Sequence, residues 1–327
     1  MKIPKKIIFR NKHFSTILPS LLRKEVRCPY TRERVSTSDG DFFDVDWIKD
    51  SNEFLVVLLH GLEGSSSQHY VRSQADLFSK NGYDIAAMNF RSCSGEMNQT
   101  TRLYHSGETE DLDLLINKIK KTKSYKKIFL IGFSLGANVS LKFLGEKSRT
   151  SVDGCVAFSA PLDLRACSYE LASGFSKFYS LVFMSTLRTK VKHLQKRHNL
   201  KTLENIKPRK LKTFLDFDEL VTAPLHGFKN AEDYWMKSSS KQFLKDIKVP
   251  TLIANAKNDP FLSSECYPEA SEIGNSNITT QYPQFGGHVG FIERNLNDYT
   301  WMETRAYEFI NEIVLSLKDK VINEVPD

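Results

Sequence analysis

The sequence predicts an α/β protein with a mostly parallel eight-stranded sheet, helices on both faces and an inserted helical cap. Three observations support this prediction. Short, nearly continuous apolar runs recur along the chain, and such runs are typical of strands buried on both faces of a sheet. Longer amphipathic stretches alternate with them, as crossover helices do in parallel sheets. One stretch of about 90 residues interrupts the alternation without adding a strand.

The predicted elements follow in order along the chain. A hairpin is expected between Glu33 and Ile48, where two alternating stretches flank the turn Ser38-Asp39-Gly40-Asp41. Buried strands are then predicted over residues 54–59, 84–88, 127–131, 152–158, 250–256 and 278–282. Helices are predicted over residues 71–80, 108–121, 135–146 and from about 299 to 317. These elements assign residues 1–160 and 245–327 to the core of the fold.

Residues 161–244 are predicted to form the cap, a helical insertion over the carboxyl edge of the sheet rather than an independent domain. Its pattern is helical, and five residues suggest one apolar helix face: Phe175, Phe178, Leu181, Val182 and Met184. The cap is also strongly basic. Twelve Lys or Arg but only two acids lie between Arg165 and Leu215, a net charge of +10 in a chain whose total is +7.

That basic segment has three interpretations. It is a solvated helical surface, or a surface that attracts the protein to anionic membranes or lipid aggregates, or a nucleic-acid binding surface. The third is disfavoured, because no recognition motif or aromatic platform accompanies the charge. We therefore expect no nucleic-acid partner and keep the first two interpretations open.

The composition is that of a globular protein, with 40% apolar and 26% charged residues among 327. No apolar run reaches the roughly 18 residues that span a bilayer. The basic beginning of the chain is not followed by an apolar stretch of signal-peptide length, so we expect a cytoplasmic protein. Five cysteines (Cys28, Cys93, Cys155, Cys167 and Cys266) are scattered without a Cys-x-x-Cys pair, which predicts neither a disulfide framework nor a zinc site.

The sharpest chemical signal is Gly132-Phe133-Ser134-Leu135-Gly136, a Gly-x-Ser-x-Gly motif. It follows a predicted strand and precedes a predicted helix, which is the context that a nucleophile elbow requires. The glycines permit a sharp, strained turn, and the helix N-terminus places positive partial charge beneath the serine. Ser134 is therefore the candidate nucleophile.

A serine nucleophile needs a base to remove its proton and an acid to orient that base. Asp259 follows the strand predicted over 250–256, and His288 lies in a glycine-rich loop after the last strand. The order serine, aspartate, histidine is the one that nucleophile-elbow enzymes use. Rival acids at 246, 265 and 269 do not end a strand, and rival histidines at 193, 198 and 226 precede the acid.

Two backbone N–H groups are expected to stabilise the oxyanion. One belongs to Leu135, directly after the nucleophile. The other belongs to Leu62, in the loop His60-Gly61-Leu62-Glu63-Gly64 that follows the strand over 54–59. His60 and His69 raise the alternative of a metal site, but no third ligand lies at a suitable spacing. His60 is therefore interpreted as structural, and no metal or cofactor is expected.

Several segments resemble one known family. They are His13-Phe14-Ser15-Thr16-Ile17-Leu18-Pro19, His60 to Gly64 with Tyr70-Val71-Arg72, Tyr104-His105-Ser106-Gly107-Glu108-Thr109-Glu110-Asp111-Leu112, Phe217-Asp218-Glu219 with Asp233-Tyr234, and Asn258-Asp259-Pro260-Phe261. Through them, from about residue 9 to 318, the chain resembles the YheT-like branch of the α/β-hydrolases, which includes bacterial hydrolases and eukaryotic ABHD-type lipid hydrolases. The resemblance implies the α/β-hydrolase fold and places the family's catalytic residues on Ser134, Asp259 and His288.

One loop departs from that family. Arg91-Ser92-Cys93-Ser94-Gly95 has serine at two places where the family carries glycine, which predicts a stiffer loop. The acids at 108, 110 and 111 are interpreted as holding this loop through Arg91, a structural role rather than a catalytic one.

Together these residues predict a serine carboxylic-ester hydrolase that forms an acyl-enzyme on short- or medium-chain acyl esters. The apolar cap residues and the family suggest lipid-derived esters. The same groups would also serve a thioesterase or an acyltransferase. An alternative of another class is a non-catalytic binding module on a hydrolase scaffold, against which the complete triad argues. The expected partners are a small-molecule acyl ester and, through the basic cap, an anionic lipid surface; no substrate-binding residue is assigned.

Overall fold

Eight strands form one sheet in the structure, a computed structural model that describes residues 10–23, 26–146, 151–198, 201–291 and 299–323. The strands are β1 (Thr31–Ser36), β2 (Phe42–Ile48), β3 (Phe54–Leu59), β4 (Tyr83–Asn89), β5 (Lys127–Phe133), β6 (Gly154–Phe158), β7 (Thr251–Ala254) and β8 (Ile278–Gln281). Their order is β1-β2-β4-β3-β5-β6-β7-β8. β2 runs antiparallel to β1 and β4, and the other pairs are parallel. The prediction of a mostly parallel eight-stranded sheet is confirmed.

Helices cover both faces of the sheet and occupy the segment between β6 and β7. They are α1 (Lys12–Leu22), α2 (His69–Lys80), α3 (Glu110–Thr122), α4 (Leu135–Glu146), α5 (Leu164–Leu171), α6 (Ser176–Arg197), α7 (Lys201–Glu204), α8 (Phe214–Phe217), α9 (Ala223–His226), α10 (Ala231–Ser238), α11 (Ala270–Ile273) and α12 (Trp301–Asn323). Four of them, α2, α3, α4 and α12, correspond to helices predicted from the sequence. α1 is not among the predicted elements: Pro19 lies inside it, and it has no acid in its first turn or base in its last.

Alternate residues of β3 pack into two different cores. Leu55, Val57 and Leu59 join the cluster that contains Leu112 and Leu115 of α3. Val56 and Leu58 join the opposite cluster, with side chains from α2 and α12. Because successive side chains of a strand point to opposite faces, a strand buried on both faces must be apolar throughout. The continuous apolar run is therefore a direct consequence of helices lying on both sides.

Arg91 anchors the loop after β4. Its guanidinium donates two hydrogen bonds of 2.7 Å to the carboxylate of Asp111 and one of 2.6 Å to Asp39, and the side chain is almost fully buried. Asp111 thus has the structural role predicted for it. Glu108 and Glu110 bind Arg102 instead of Arg91, which corrects that part of the expectation.

Serine at position 92, where the family carries glycine, occupies a backbone conformation that favours glycine. Ser92 adopts a φ of +62°, a conformation that glycine reaches more easily than other residues. Its hydroxyl compensates by accepting from the backbone N–H of Asn98 and contacting the Asn98 side chain. The second serine, Ser94, donates to a carboxylate oxygen of Asp44. Hydrogen bonds therefore hold this loop at both of the substituted positions.

The segment between β6 and β7 forms no strand among its described residues. Leu164 of α5 packs with Ala231, Tyr234 and Trp235 of α10 in one small apolar cluster, and α6 belongs to another. Met184, Leu187 and Val191 of α6 pack there against residues of the later cap helices, including Phe217 and Val221. In the described part of the chain, no helix is both long and apolar enough to cross a bilayer.

The expectation of one apolar face on α6 is wrong in detail. Met184 is buried, whereas Phe178, Leu181 and Val182 within the helix and Phe175 just before it are 51–55% exposed. The reason is helix geometry: at 3.6 residues per turn, residues 175 and 182 lie nearly opposite residue 184, and residue 178 lies about 120° from it. Leu181 lies about 60° from residue 184, at the edge between the two sides. The apolar pattern therefore marks two faces, one facing the cap core and one facing solvent.

Candidate active site

Ser134 forms the turn between β5 and α4. Its φ is +53°, in the left-handed region, and its N–H donates to the carbonyl of Phe158 in the neighbouring strand (2.9 Å). Neither flanking glycine can carry a side chain. A Cβ at Gly132 would lie 2.6 Å from Cα of Ala137, and a Cβ at Gly136 would lie 2.6 Å from the carbonyl oxygen of His60. The strained turn therefore depends on both glycines.

The three predicted side chains form one hydrogen-bonded chain. The Ser134 hydroxyl lies 2.9 Å from Nε2 of His288, and Nδ1 of His288 lies 2.8 Å from Oδ2 of Asp259. The other Asp259 oxygen accepts from the backbone N–H of Phe261 (2.9 Å), and its side chain is fully buried. The Phe261 ring stacks on the imidazole with centroids 4.1 Å apart. Serine, histidine and aspartate thus have the geometry that nucleophile activation requires.

Helix α1 holds the loop that carries His288. The hydroxyl of Thr16 accepts from the backbone N–H of His288 (2.9 Å). Asn258, next to Asp259, accepts from the N–H groups of Gly286 and Gly287 (2.9 Å each) and donates to the Ser15 hydroxyl (3.1 Å). No local sequence signal indicates a role for Ser15, Thr16 or Asn258, although all three lie in segments that carry the family resemblance.

The N–H groups of Leu62 and Leu135 are the two donors that the sequence predicts for an oxyanion. In the loop after β3, the N–H of Gly61 donates to Tyr70, that of Glu63 to Tyr104 and that of Gly64 to Gly61. Neither Leu62 N–H nor Leu135 N–H has a hydrogen-bond acceptor among the described residues. Both residues line the cavity that also contains Ser134 and His288. The structure thus leaves unpaired the two donors that the sequence singled out.

Glu63 ties this oxyanion loop to the cap. It adopts a φ of +55°, and its carboxylate accepts from the Tyr104 hydroxyl (2.7 Å) and from the ammonium of Lys190 in α6 (2.5 Å). Lys190 also approaches the thiol of Cys93 (3.4 Å). Burial alone would lower the pKa of Lys190, but its contacts with Cys93 and Glu63 outweigh burial and raise that pKa. A charged cap residue therefore binds the residue directly after Leu62, a contact that no sequence signal revealed.

The cavity over Ser134 is narrow, with a volume of about 90 Å³. Its wall is mainly apolar, with Leu164, Leu171, Phe183, Phe214 and Leu262 among the lining residues. A much larger groove of about 790 Å³ lies on the cap surface among Lys192, Lys207, Arg209 and Lys210, away from the triad. The smaller cavity is the candidate substrate site, because it alone of the two contains Ser134 and His288.

A buried acid, Asp218, lies in the wall of that cavity. It accepts from the indole N–H of Trp235 (2.7 Å) and the hydroxyl of Thr222 (2.8 Å). Burial raises the pKa of Asp218 to about 7, because loss of hydration disfavours the charged carboxylate. Asp218 belongs to a segment that carries the family resemblance, but no local sequence signal indicates its role.

The residues that offered alternative sites, His60 for a metal and Glu265 and His226 for the triad, have other contacts in the structure. Nδ1 of His60 lies 2.7 Å from the Gly61 carbonyl and Nε2 accepts from Phe90 N–H (3.1 Å), which occupies both ring nitrogens. Burial lowers the pKa of His60 to about 4. Among the rivals for the triad, Glu265 pairs with Lys241 at the surface, and His226 packs against His105. Two buried thiols, Cys167 and Cys266, lie 3.4 Å apart, a proximity that their distance in sequence conceals.

A serine, a histidine and an aspartate at the carboxyl edge of a mostly parallel eight-stranded sheet define the α/β-hydrolase architecture. The family model of the alpha/beta hydrolase fold matches residues 55–295, and the chain belongs to this family. The resemblance stated from the sequence is confirmed.

Particular relatives agree with this assignment. The chain is 33% identical to the protein named "Putative esterase YheT" of Escherichia coli (strain K12), over 92% of this chain and 91% of that one. It is 30% identical to a monoacylglycerol lipase of Saccharomyces cerevisiae, over 73% of this chain and 55% of that one. It is 28% identical to phospholipase ABHD3 of Mus musculus, over 91% and 75%. The relatives therefore belong to the esterase and lipase type of this fold.

A solved structure shares the fold at low sequence identity. The Pyrococcus furiosus esterase Pf2001 superimposes with a TM-score of 0.57 at 20% identity, covering 86% of this chain and 92% of that one. At this level of identity, the similarity concerns the fold alone.

Proposed function

We propose that this protein hydrolyses carboxylic esters through an acyl-enzyme on Ser134. The observation that supports the proposal most directly is the hydrogen-bonded chain from the Ser134 hydroxyl through His288 to Asp259, at 2.9 and 2.8 Å. The names of the relatives, which include an esterase, a monoacylglycerol lipase and a phospholipase, agree with ester chemistry.

The proposed reaction has two halves. Nε2 of His288 accepts the hydroxyl proton as Ser134 Oγ attacks the ester carbonyl, and the Leu62 and Leu135 amides stabilise the negative oxygen. The imidazolium, stabilised by Asp259, then protonates the leaving alcohol. Water attacks the acyl-enzyme in the second half, with His288 again as the base, and the acid is released.

The cavity favours a short or medium acyl group. Its volume of about 90 Å³ is well below the roughly 300–1,000 Å³ of ordinary ligand pockets. Phe183 and Phe214 come from the cap, so a longer chain would have to displace cap side chains. We therefore propose that turnover falls steeply as the acyl chain lengthens in solution.

A fluorophosphonate probe tests the serine chemistry. The wild-type protein should gain the mass of one phosphonyl group on Ser134, and Ser134→Ala should gain none. Ser316→Ala, which removes an exposed hydroxyl from α12, is the matched control and should label fully. Absence of labelling in folded wild-type protein would support the non-catalytic binding module instead.

A second experiment separates the acyl-transfer alternatives. p-Nitrophenyl esters of increasing acyl length are compared with thioesters of the same acyl groups, each with and without an added alcohol. An ester hydrolase should prefer the oxygen ester and release free acid in both conditions. Preference for the thioester would identify a thioesterase, and formation of a new ester with the added alcohol would identify an acyltransferase.

A further inference from the structure

Apolar side chains are exposed together on α1 and on the first half of α6. Phe14, Phe175, Phe178, Leu181 and Val182, here called the α1–α6 patch, are each 51–55% exposed. The ring of His13 contacts Phe175 at 4.4 Å, which brings the exposed end of α1 beside α6, and Phe175 lies 6.0 Å from Phe178. Single exposed apolar residues need no explanation, but a group of large ones marks an interaction surface.

The patch lies near His288 of the candidate active site. Beneath it, the buried Tyr179 packs edge-to-face on Phe261 with centroids 4.7 Å apart, and Phe261 stacks on His288. On the other side, Thr16 of α1 holds the backbone of His288. Two side chains, Tyr179 and Phe261, therefore separate the patch from the imidazole that is proposed to activate Ser134.

The charge around the patch identifies the partner. α6 contains six Lys or Arg and no acid, and its exposed face changes from apolar at Phe178 and Val182 to basic at Lys192 and Lys196. Lys12 of α1 and Lys177 are exposed beside the patch. Within the described part of the chain, no acid forms an ion pair with Lys12, Lys177, Lys192 or Lys196. Exposed aromatic side chains beside unpaired cations fit an interface that is apolar inside and anionic at its surface.

We propose that the α1–α6 patch docks on an anionic lipid bilayer, with its phenylalanines in the acyl boundary and the α6 lysines against the headgroups. Docking in this orientation turns the side of the protein near Phe261 and His288 toward the lipid. This proposal adds an apolar contribution to the lipid-surface interpretation of the basic cap: the apolar end of α6, and not charge alone, holds the protein at the surface. The proposal stands apart from the ester chemistry, since binding requires no turnover.

Vesicle co-sedimentation tests the proposal, in the Ser134→Ala background so that no lipid is consumed. Vesicles of phosphatidylcholine are compared with vesicles of equal parts phosphatidylcholine and phosphatidylglycerol, at low and high salt. The expected result is binding to the anionic vesicles that high salt weakens. Phe175→Ser/Phe178→Ser should lower the partition coefficient about tenfold. The matched control is Leu315→Ser, which removes a comparably exposed apolar side chain from α12 and should leave binding unchanged.

Three results would overturn the proposal. The first is no binding to anionic vesicles at low salt. The second is equal binding by the double variant and its parent, as expected if charge alone acts or if another segment such as residues 1–9 covers the patch. The third is a dimer of the parent protein, seen by light scattering, that the double variant abolishes, because the patch would then be a contact between copies. Circular dichroism verifies folding, and Val182→Ser provides a milder variant if the double variant aggregates.

Discussion

Removing the ammonium of Lys190 tests whether the cap sets the geometry of the oxyanion loop. In Lys190→Met the alkyl stem keeps its packing, but the Glu63 carboxylate loses its cation. The two side chains are only 10% and 8% exposed, and leaving one buried charge without its partner costs about 3–5 kcal/mol. Since the Tyr104 hydroxyl still donates to Glu63, we expect the lower limit, a loss of about 3 kcal/mol in the free energy of unfolding.

The same substitution should slow catalysis more than it weakens substrate binding. Leu62 directly precedes Glu63, so a shift of Glu63 would displace the neighbouring Leu62 amide that is proposed to bind the oxyanion. Losing one such donor lowers kcat about 10²–10³-fold. A displaced donor should lower kcat about tenfold or more while KM changes little, because the oxyanion exists only after attack.

Two measurements decide the question: guanidinium denaturation for stability, and kcat and KM on p-nitrophenyl butyrate for catalysis. The matched control is Lys237→Met, which removes another cap lysine from an ion pair with Asp233 that is exposed on the lysine side and should change neither quantity. The double variant Lys190→Met/Glu63→Gln should be more stable than Lys190→Met alone, because no charge stays buried. A normal kcat in Lys190→Met would refute the idea that this pair positions the oxyanion loop.

Three further predictions follow from individual residues. Asp259→Asn should lower kcat by roughly 10⁴-fold with an unchanged unfolding midpoint, because an amide holds the imidazole in the wrong tautomer; an unchanged kcat would remove Asp259 from the mechanism. Gly136→Ala should cost about 1–3 kcal/mol or more by denaturation, since the new Cβ would collide with the carbonyl of His60; full stability would show that the turn can relax. Burial raises the pKa of Asp218 from 3.8 to about 7, so protonation stabilises the folded state at low pH by up to about 4 kcal/mol, and this contribution disappears as the pH rises from about 4 to about 7. The unfolding free energy of the wild type minus that of Asp218→Asn should therefore fall across that range. A constant difference would contradict the buried ionisation.

The elements that generate the chemistry were predictable because their signals are local. A strand buried on both faces must be apolar, as β3 and β5 are. The turn at Ser134 needs glycine at position 136, because a side chain there would collide with the backbone at the end of β3. Asp259 and His288 were identified because each follows a recognisable strand, and the carboxyl ends of parallel strands share one edge. Those inferences needed only residue type, spacing and order.

The contacts that position the chemistry were not predictable, because their partners lie far apart in sequence. Lys190 meets Glu63 across 127 residues, and Ser15 meets Asn258 across 243. Each partner alone has an ordinary interpretation: a lysine among many in a basic helix, a serine in an N-terminal stretch, an asparagine beside a turn. Only the docking of α6 and α1 on the core gives them a role, and docking depends on packing that a single sequence does not specify.

The same limit explains why the apolar residues of α6 were assigned to one face. Apolarity predicts burial only where a partner surface exists, and the cap core takes Met184, Leu187 and Val191 but leaves Phe178 and Val182 exposed. A second apolar phase, such as the proposed lipid surface, would remove Phe178 and Val182 from water, which favours docking. The α6 helix thus joins two requirements: Lys190 on its inner side holds the oxyanion loop, and the outer side presents the patch. A lipid surface bound to the outer side of α6 would therefore contact the same helix whose Lys190 pairs with Glu63. If the two are coupled, kcat on a soluble ester should change when anionic vesicles are added to the wild type, and Lys190→Met should abolish that change without abolishing vesicle binding.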